Sequence, residues 1–337
     1  MVLGEVLTAV VAGLAVFACA ANLAIGSAGF VPDLFARLRE LGKFLNGRVA
    51  SGVSDRDVYL VGSSVVGEGL DARLIEPLLP GGRRCFNLSW FGATPRELLL
   101  AAPAIARASP AMVVLCLSMS DMAVSRPVAA ERAAYAAWSG LVAEEDVARL
   151  ADKYSADEAR PLREHQLLRL LRLRTLPVAA LNDGLAALAR PDLRIRGYER
   201  NFFAPWAIRR PISKTASERL MKIVLADLDK QTPEAVAETE VVLDDLFEML
   251  TAGGSELVVV IGPQHPQVSA ALEKSSAGRA GLEMLRRTAK RHGVALLDHR
   301  DVLDEAMYAE AVHTYEPGRL RWSWVLGTEL RAMSAKR

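Results

Sequence analysis

Six consecutive apolar residues, Met112-Val113-Val114-Leu115-Cys116-Leu117, constrain this chain more than any other stretch. A strand with one wet face alternates apolar and polar side chains, whereas a short unbroken apolar run suits a strand covered on both faces. Covering both faces requires helices on either side of a mostly parallel sheet. Glu256-Leu257-Val258-Val259-Val260-Ile261 is a second such run, and Val58–Val61, Cys85–Leu88 and Val294–Leu297 read as shorter strands. Between them, Asp71–Leu79, Pro95–Ala108, residues 271–291 and a last segment from Pro317 carry helical patterns. The chain is therefore expected to fold as a three-layer α/β domain around a flavodoxin-like parallel sheet.

With 337 residues, 51% of them apolar, and a net charge of +1, the chain can bury a full core, which excludes disordered and fibrous classes. Its three cysteines, Cys19, Cys85 and Cys116, form neither a disulfide framework nor a metal-ligand spacing. Cys85 and Cys116 lie in apolar stretches and read as buried free thiols. No metal and no cofactor is expected.

Two regions depart from the α/β pattern. Val6 to Val31 holds no charged residue, and about 20 apolar residues suffice to cross a bilayer. Without a basic segment before it, this reads as an uncleaved single-pass membrane anchor rather than a cleaved leader. Arg37, Arg39, Lys43 and Arg48 follow it, which by the positive-inside rule leaves the large domain in the cytoplasm. Residues 128–250 are mostly helical and without a clear strand. The expected organisation is an anchor over 1–32, an amphipathic connector over 33–54, an α/β domain built from 55–127 and 251–337, and a helical insertion over 128–250.

Charge is uneven along the chain. Between Arg160 and Arg210, eleven arginines face four acids, a local excess of +7. Leucines from Leu162 to Leu173 interleave with these arginines, and Phe202, Phe203 and Trp206 follow. Such a mixture suits an anionic lipid surface or a membrane partner. Nucleic acid is not expected, because no recognition motif accompanies the charge.

Candidate chemistry sits at the ends of strands. Asp57-Val58-Tyr59-Leu60-Val61 runs into Gly62-Ser63-Ser64, a tight turn that lifts a hydroxyl out of the sheet. Glu310-Ala311-Val312-His313 supplies an imidazole with a carboxylate three residues before it. Serine, histidine and carboxylate are the parts needed for covalent acyl transfer. His265, just past the strand at 256–261, is a candidate substrate-binding group or alternative base. Asp121 reads as the cap of its turn. His165, His292 and His299, in charged or polar surroundings, read as surface residues.

Taken in order, these pieces resemble the four spaced blocks of the SGNH/GDSL hydrolase superfamily. Gly62-Ser63-Ser64 stands where that family has Gly-Asp-Ser. It looks like the version in membrane-anchored members, including the D-alanyl-transfer protein of teichoic acid modification. Asn87-Leu88-Ser89-Trp90-Phe91-Gly92 matches the second block, and Ser118-Met119-Ser120-Asp121 the third. Glu310-Ala311-Val312-His313 matches the fourth, with Trp322-Ser323 in the closing helix. The resemblance implies an SGNH-type fold, Ser64 as nucleophile, His313 as base and Glu310 as its partner. Gly92, Ser120 and Asn87 then belong to the oxyanion and substrate-binding groups.

Two departures qualify it. Ser120 replaces an asparagine donor, and losing one oxyanion donor costs about 10²–10³ in turnover. Glu310 replaces the usual aspartate. The resemblance implies a membrane-anchored serine O-acyltransferase or esterase acting on a cell-surface glycan or polymer. A multi-spanning membrane O-acyltransferase is the implied partner, and the domain would face the periplasm or exterior, against the charge rule. The departures motivate a different class, a catalytically degenerate SGNH domain serving as a binding or scaffold subunit.

Overall fold

The structure is a computed structural model, and it describes residues 33–52, 54–122, 128, 132–133, 136–137, 140–167 and 211–335. Strands β1 (Asp57–Gly62), β2 (Arg84–Asn87), β3 (Met112–Leu117), β4 (Glu256–Ile261) and β5 (Ala295–Asp298) form one all-parallel sheet. Their order is β2-β1-β3-β4-β5, consistent with a flavodoxin-like fold. Every residue of β1 and β3 is buried, as two-sided cover requires. Tyr59, Val61, Val113 and Leu115 point into one core, and Val58, Leu60, Val114 and Cys116 into the other.

Helices Asp33–Ser51, Ala102–Ala108, Pro233–Thr251 and Ser276–Arg291 cover the first face. Ala72–Ile75 and Glu316–Ala335 cover the second. In such a sheet the winding reverses between β1 and β3, and the crevice for ligands lies there, at the carboxyl ends of the strands.

Several elements differ from the sequence expectation for local reasons. Pro95–Ala108 is two helices, Pro95–Leu98 and Ala102–Ala108. Pro103 has no N–H to give Leu99 and its ring crowds the preceding turn, so one continuous helix cannot form there. The segment expected as a helix over 271–291 starts earlier, as Pro266–Lys274, and restarts as Ser276–Arg291 after Ser275 turns extended and caps Gly278 N at 3.3 Å. The Asp71–Leu79 helix spans only Ala72–Ile75 before a tighter 3₁₀ turn that contains Pro77.

The amphipathic connector is a helix whose Leu38, Leu41 and Leu45 enter the first core. Arg48 on its last turns pairs with the fully buried Asp57 at 3.3 Å, and Arg84 pairs with the same carboxylate at 2.7 Å. Burial pushes the Asp57 carboxyl up despite both arginines. Among the described residues of 128–250 the structure is helical, as Glu144–Ala151, Ala156–Leu167, Lys214–Leu228 and Pro233–Thr251. Leu243, Leu246, Phe247 and Leu250 of the last of these help fill the first core. No helix among the described residues is long and apolar enough to cross a membrane. The expected anchor over 1–32 and most of the arginine-rich block, residues 168–210, lie outside them.

Candidate active site

The strand-to-helix turn after β1 presents Ser64. Ser63 is extended and caps the helix Ser64–Gly69, with Val66 N–H and Gly67 N–H both donating to its carbonyl at 3.1 Å. Ser64 therefore opens the helix and is only partly buried. Gly62 has no room for a side chain, since a Cβ there would sit 2.5 Å from both Cys116 O and Val66 Cγ2. That close approach lets β1 turn directly into the helix beside β3.

His313 arrives from the other end of the chain. Tyr308 and Thr314 form an antiparallel bridge, and Ala309 N–H donates to His313 O at 2.8 Å, so residues 308–314 make a closed loop. Within it the Glu310 carboxylate accepts from Val312 N–H at 3.0 Å and His313 N–H at 2.8 Å, and it also contacts His313 Nδ1. His313 Nε2 lies 2.8 Å from Ser64 Oγ. A carboxylate can only accept, so Nδ1 carries the proton and Nε2 presents its lone pair to the serine hydroxyl.

Glu310 is buried. Burial pushes its carboxyl up, but the His313 ring and the two backbone N–H groups outweigh burial and hold it below its ordinary value. An ionised carboxylate beside Nδ1 is what stabilises an imidazolium when one forms.

The two halves are locked together behind the site. A Cβ on Gly69, at the end of the serine helix, would overlap the Trp322 ring, and Asp71 N–H donates to Ser323 Oγ at 2.9 Å. Gly318 is similarly tight, 2.6 Å from Met307 O for an added Cβ, which holds the closing helix against the histidine loop.

The remaining expected site residues take several places. Gly92 lies in the loop after β2, which Trp90 N–H ties to Gly62 O at 3.2 Å, and it adopts a φ of +63° that disfavours side chains. Ser120 lies in the 3₁₀ turn Met119–Met122 just past β3. Asp121 caps that turn, its carboxylate accepting from Ser118 N–H at 3.0 Å, as its position suggested.

Asn87 needs a correction. Fully buried, it donates to Val66 O at 3.0 Å and Leu70 O at 2.9 Å, and its carbonyl accepts from Ser89 N–H and Ser89 Oγ. All four of its amide sites are used, so it braces the serine helix instead of facing an oxyanion.

His265 serves as a helix cap. Its Nδ1 accepts from Gln267 N–H at 3.3 Å, and its Nε2 lies 3.7 Å from Glu305. Burial lowers its pKa, with the charges of Glu305 and Glu310 pulling the other way. Its ring packs edge-on against Tyr308 of the histidine loop, centroids 5.3 Å apart, and among the described residues it makes no hydrogen bond to Ser64.

His299 is a second correction: it is 1% exposed, not a surface residue. Its Nδ1 accepts from Trp322 Nε1 at 3.0 Å and its Nε2 meets Glu329 at 2.7 Å. His292 pairs with Asp244 at 2.8 Å on an exposed helix end, and the His165 side chain lies outside the described residues.

Arg132 carried no sequence signal. Its Nη1 donates to Phe91 O at 3.2 Å, Gly92 O at 3.1 Å and Glu97 at 3.0 Å, and so fixes the Gly92 loop. A lone arginine among residues 128–140 has no pattern to single it out. Only the fold brings it over a loop 40 residues earlier.

No protein-family model matches the chain, and no curated protein matches it.

Proposed function

We propose that this protein is a serine esterase or O-acyltransferase of SGNH type, working through an acyl-serine intermediate. The observation that carries the reading is the contact of His313 Nε2 with Ser64 Oγ at 2.8 Å, with Glu310 on the far side of the same ring. Nucleophile, base and orienting carboxylate in that order are the geometric signature of acyl transfer. Their place, at the carboxyl ends of the strands beside the β1/β3 reversal, is where open α/β sheets hold ligands.

In this mechanism His313 takes the hydroxyl proton as Ser64 Oγ attacks an ester or thioester carbonyl. The resulting oxyanion is held by backbone N–H groups at Ser64 and Gly92, with Ser120 as a further donor. Collapse expels the alcohol or thiol, which recovers the proton from His313, and leaves the acyl group on Ser64. Water as the second substrate completes hydrolysis. A glycan or polymer hydroxyl at the cell surface completes transfer.

In the same proposal, residues 1–32 anchor the chain in the membrane as a single span. The SGNH pattern applies to the α/β domain and not to the inserted helical stretch, and a multi-spanning membrane O-acyltransferase supplies the acyl group. The depressed Glu310 carboxyl and the His313–Ser64 contact favour a working site over a degenerate one.

Fluorophosphonate labelling of the purified chain tests the reading. Label should appear on the wild type and be absent from Ser64→Ala, and His313→Ala should slow it by orders of magnitude. A wild-type chain that takes no label and releases nothing from p-nitrophenyl acetate would overturn it.

A further inference from the structure

We infer that the sheet edge bearing Ser64 is the face this protein turns toward an anionic lipid bilayer. The inference rests on the membrane-anchored reading above and adds a direction to it. It starts from the register of the helix Asp33–Ser51 against β1. Arg48 pairs with Asp57, the first residue of the strand, at 3.3 Å. One helical turn earlier, the Phe44 ring lies 5.8 Å from the ring of Tyr59, two residues further up the strand. Four helical residues rise about 6 Å, and two strand residues advance about 6.6 Å. The helix is therefore antiparallel to β1, and its N-terminus points toward the carboxyl edge of the sheet.

The same rises place that N-terminus. From Phe44 back to Asp33 is roughly 16 Å along the helix, whereas β1 runs on from Tyr59 only to Gly62, roughly 10 Å. The helix therefore reaches the carboxyl edge of the sheet, where Ser64 follows Gly62. The apolar stretch Val6–Val31 thus joins the domain at the height of the catalytic edge, and not at the opposite edge where Asp57 is buried.

A further place where described residues meet the rest of the chain lies on the same edge. The arginine-rich stretch rejoins at Ile212, whose N–H donates to Ala309 O in the histidine loop at 3.3 Å. The net +7 between Arg160 and Arg210 is therefore carried by chain that returns to the described fold at the catalytic edge. That is the sign an anionic leaflet attracts.

The closing helix adds an apolar element. It begins at Glu316 beside His313, and its exposed outer face carries Leu320 (49% exposed) and Trp324 (55%) one turn apart. Arg321 lies over the Trp324 ring, 5.8 Å from its centroid. Leucine, tryptophan and arginine together suit the headgroup boundary, where an amphipathic ring and a basic head both find partners. In this orientation the Ser64 hydroxyl faces lipid-borne acyl donors without crossing bulk water.

The experiment uses the full chain with Cys19→Ser, in which Cys85 and Cys116 are buried. A thiol-reactive fluorophore is placed at Leu320→Cys on the catalytic edge or at Asp55→Cys just before β1. Each variant is reconstituted with phosphatidylglycerol vesicles containing a nitroxide-headgroup lipid. The Leu320→Cys label should lose most of its emission, and the Asp55→Cys label almost none. Quenching at Asp55→Cys alone, or at neither position in sedimented vesicles, overturns the orientation while leaving the anchor intact. A chain that fails to sediment with vesicles overturns the anchor and the orientation together. Fluorophosphonate labelling of Ser64 in the same samples reads the enzymatic proposal separately.

Discussion

Replacing Asn87 with leucine should damage both the fold and the candidate site, by an amount the structure lets one work out. The substitution keeps the volume and removes one acceptor and two donors from a fully buried position. Four hydrogen bonds are lost, to Val66 O, Leu70 O, Ser89 N–H and Ser89 Oγ. At about 1 kcal/mol each, Asn87→Leu should cost about 4 kcal/mol, more if the orphaned groups stay dry. Against a typical total of about 5–15 kcal/mol this is severe. Urea unfolding reads it as a lowered midpoint with an unchanged slope.

Because two of those bonds hold carbonyls of the serine helix, labelling of Ser64 by a fluorophosphonate should also slow in the folded fraction. Asn87→Asp sharpens the argument. An ionised carboxylate facing two carbonyls is repelled, so its folded pKa lies above its unfolded one. The stability of that variant should then fall as pH rises through the folded pKa and recover in mild acid. A leucine variant within about 0.5 kcal/mol of wild type, the range of ordinary surface changes, would refute the assignment of Asn87 as a brace.

Other expectations follow from single contacts. The Glu310 carboxyl is held below its ordinary value chiefly by the His313 ring acting against burial. Its contribution to stability is present above the unfolded carboxylate pKa and lost as pH falls through the folded one, and His313→Ala should shrink that acid limb in pH-dependent unfolding. Gly69→Ala drives a methyl into the Trp322 ring and should cost about 1–3 kcal/mol as overpacking, visible as a drop in Tm. Glu310→Gln should slow Ser64 labelling by orders of magnitude while leaving the fold cooperative, because it removes the partner that stabilises the imidazolium. Arg132→Ala frees the Gly92 loop and should lower turnover of p-nitrophenyl acetate more than it lowers stability.

What the sequence disclosed depended on how local the determining physics was. Met112–Leu117 and Glu256–Ile261 were legible to the residue, because burial on both faces writes an unbroken apolar run. The breaks at Pro103 and Ser275 were less visible: both lie inside periodic stretches, and one backbone N–H or one cap decides them. His299 was misread for a similar reason. Asp298 and Arg300 flank it and pair with each other outside, but successive side chains at a strand end point to opposite sides, so the residue between two surface charges is core. Ser64 and His313 could be picked out as types in context, yet their meeting depends on contacts such as Gly69 against Trp322 that no sequence spacing encodes. Arg132 and the saturation of Asn87 were out of reach, since both are defined by partners distant in the chain.

The lock between Gly69 and Trp322 and between Asp71 and Ser323 has a consequence for synthesis. The hydroxyl is made early and its base 249 residues later. The helix that clamps them together comes later still. A polypeptide cut short between His313 and Trp322 keeps both residues but lacks these contacts, and on the proposed mechanism its Ser64 should take no fluorophosphonate label.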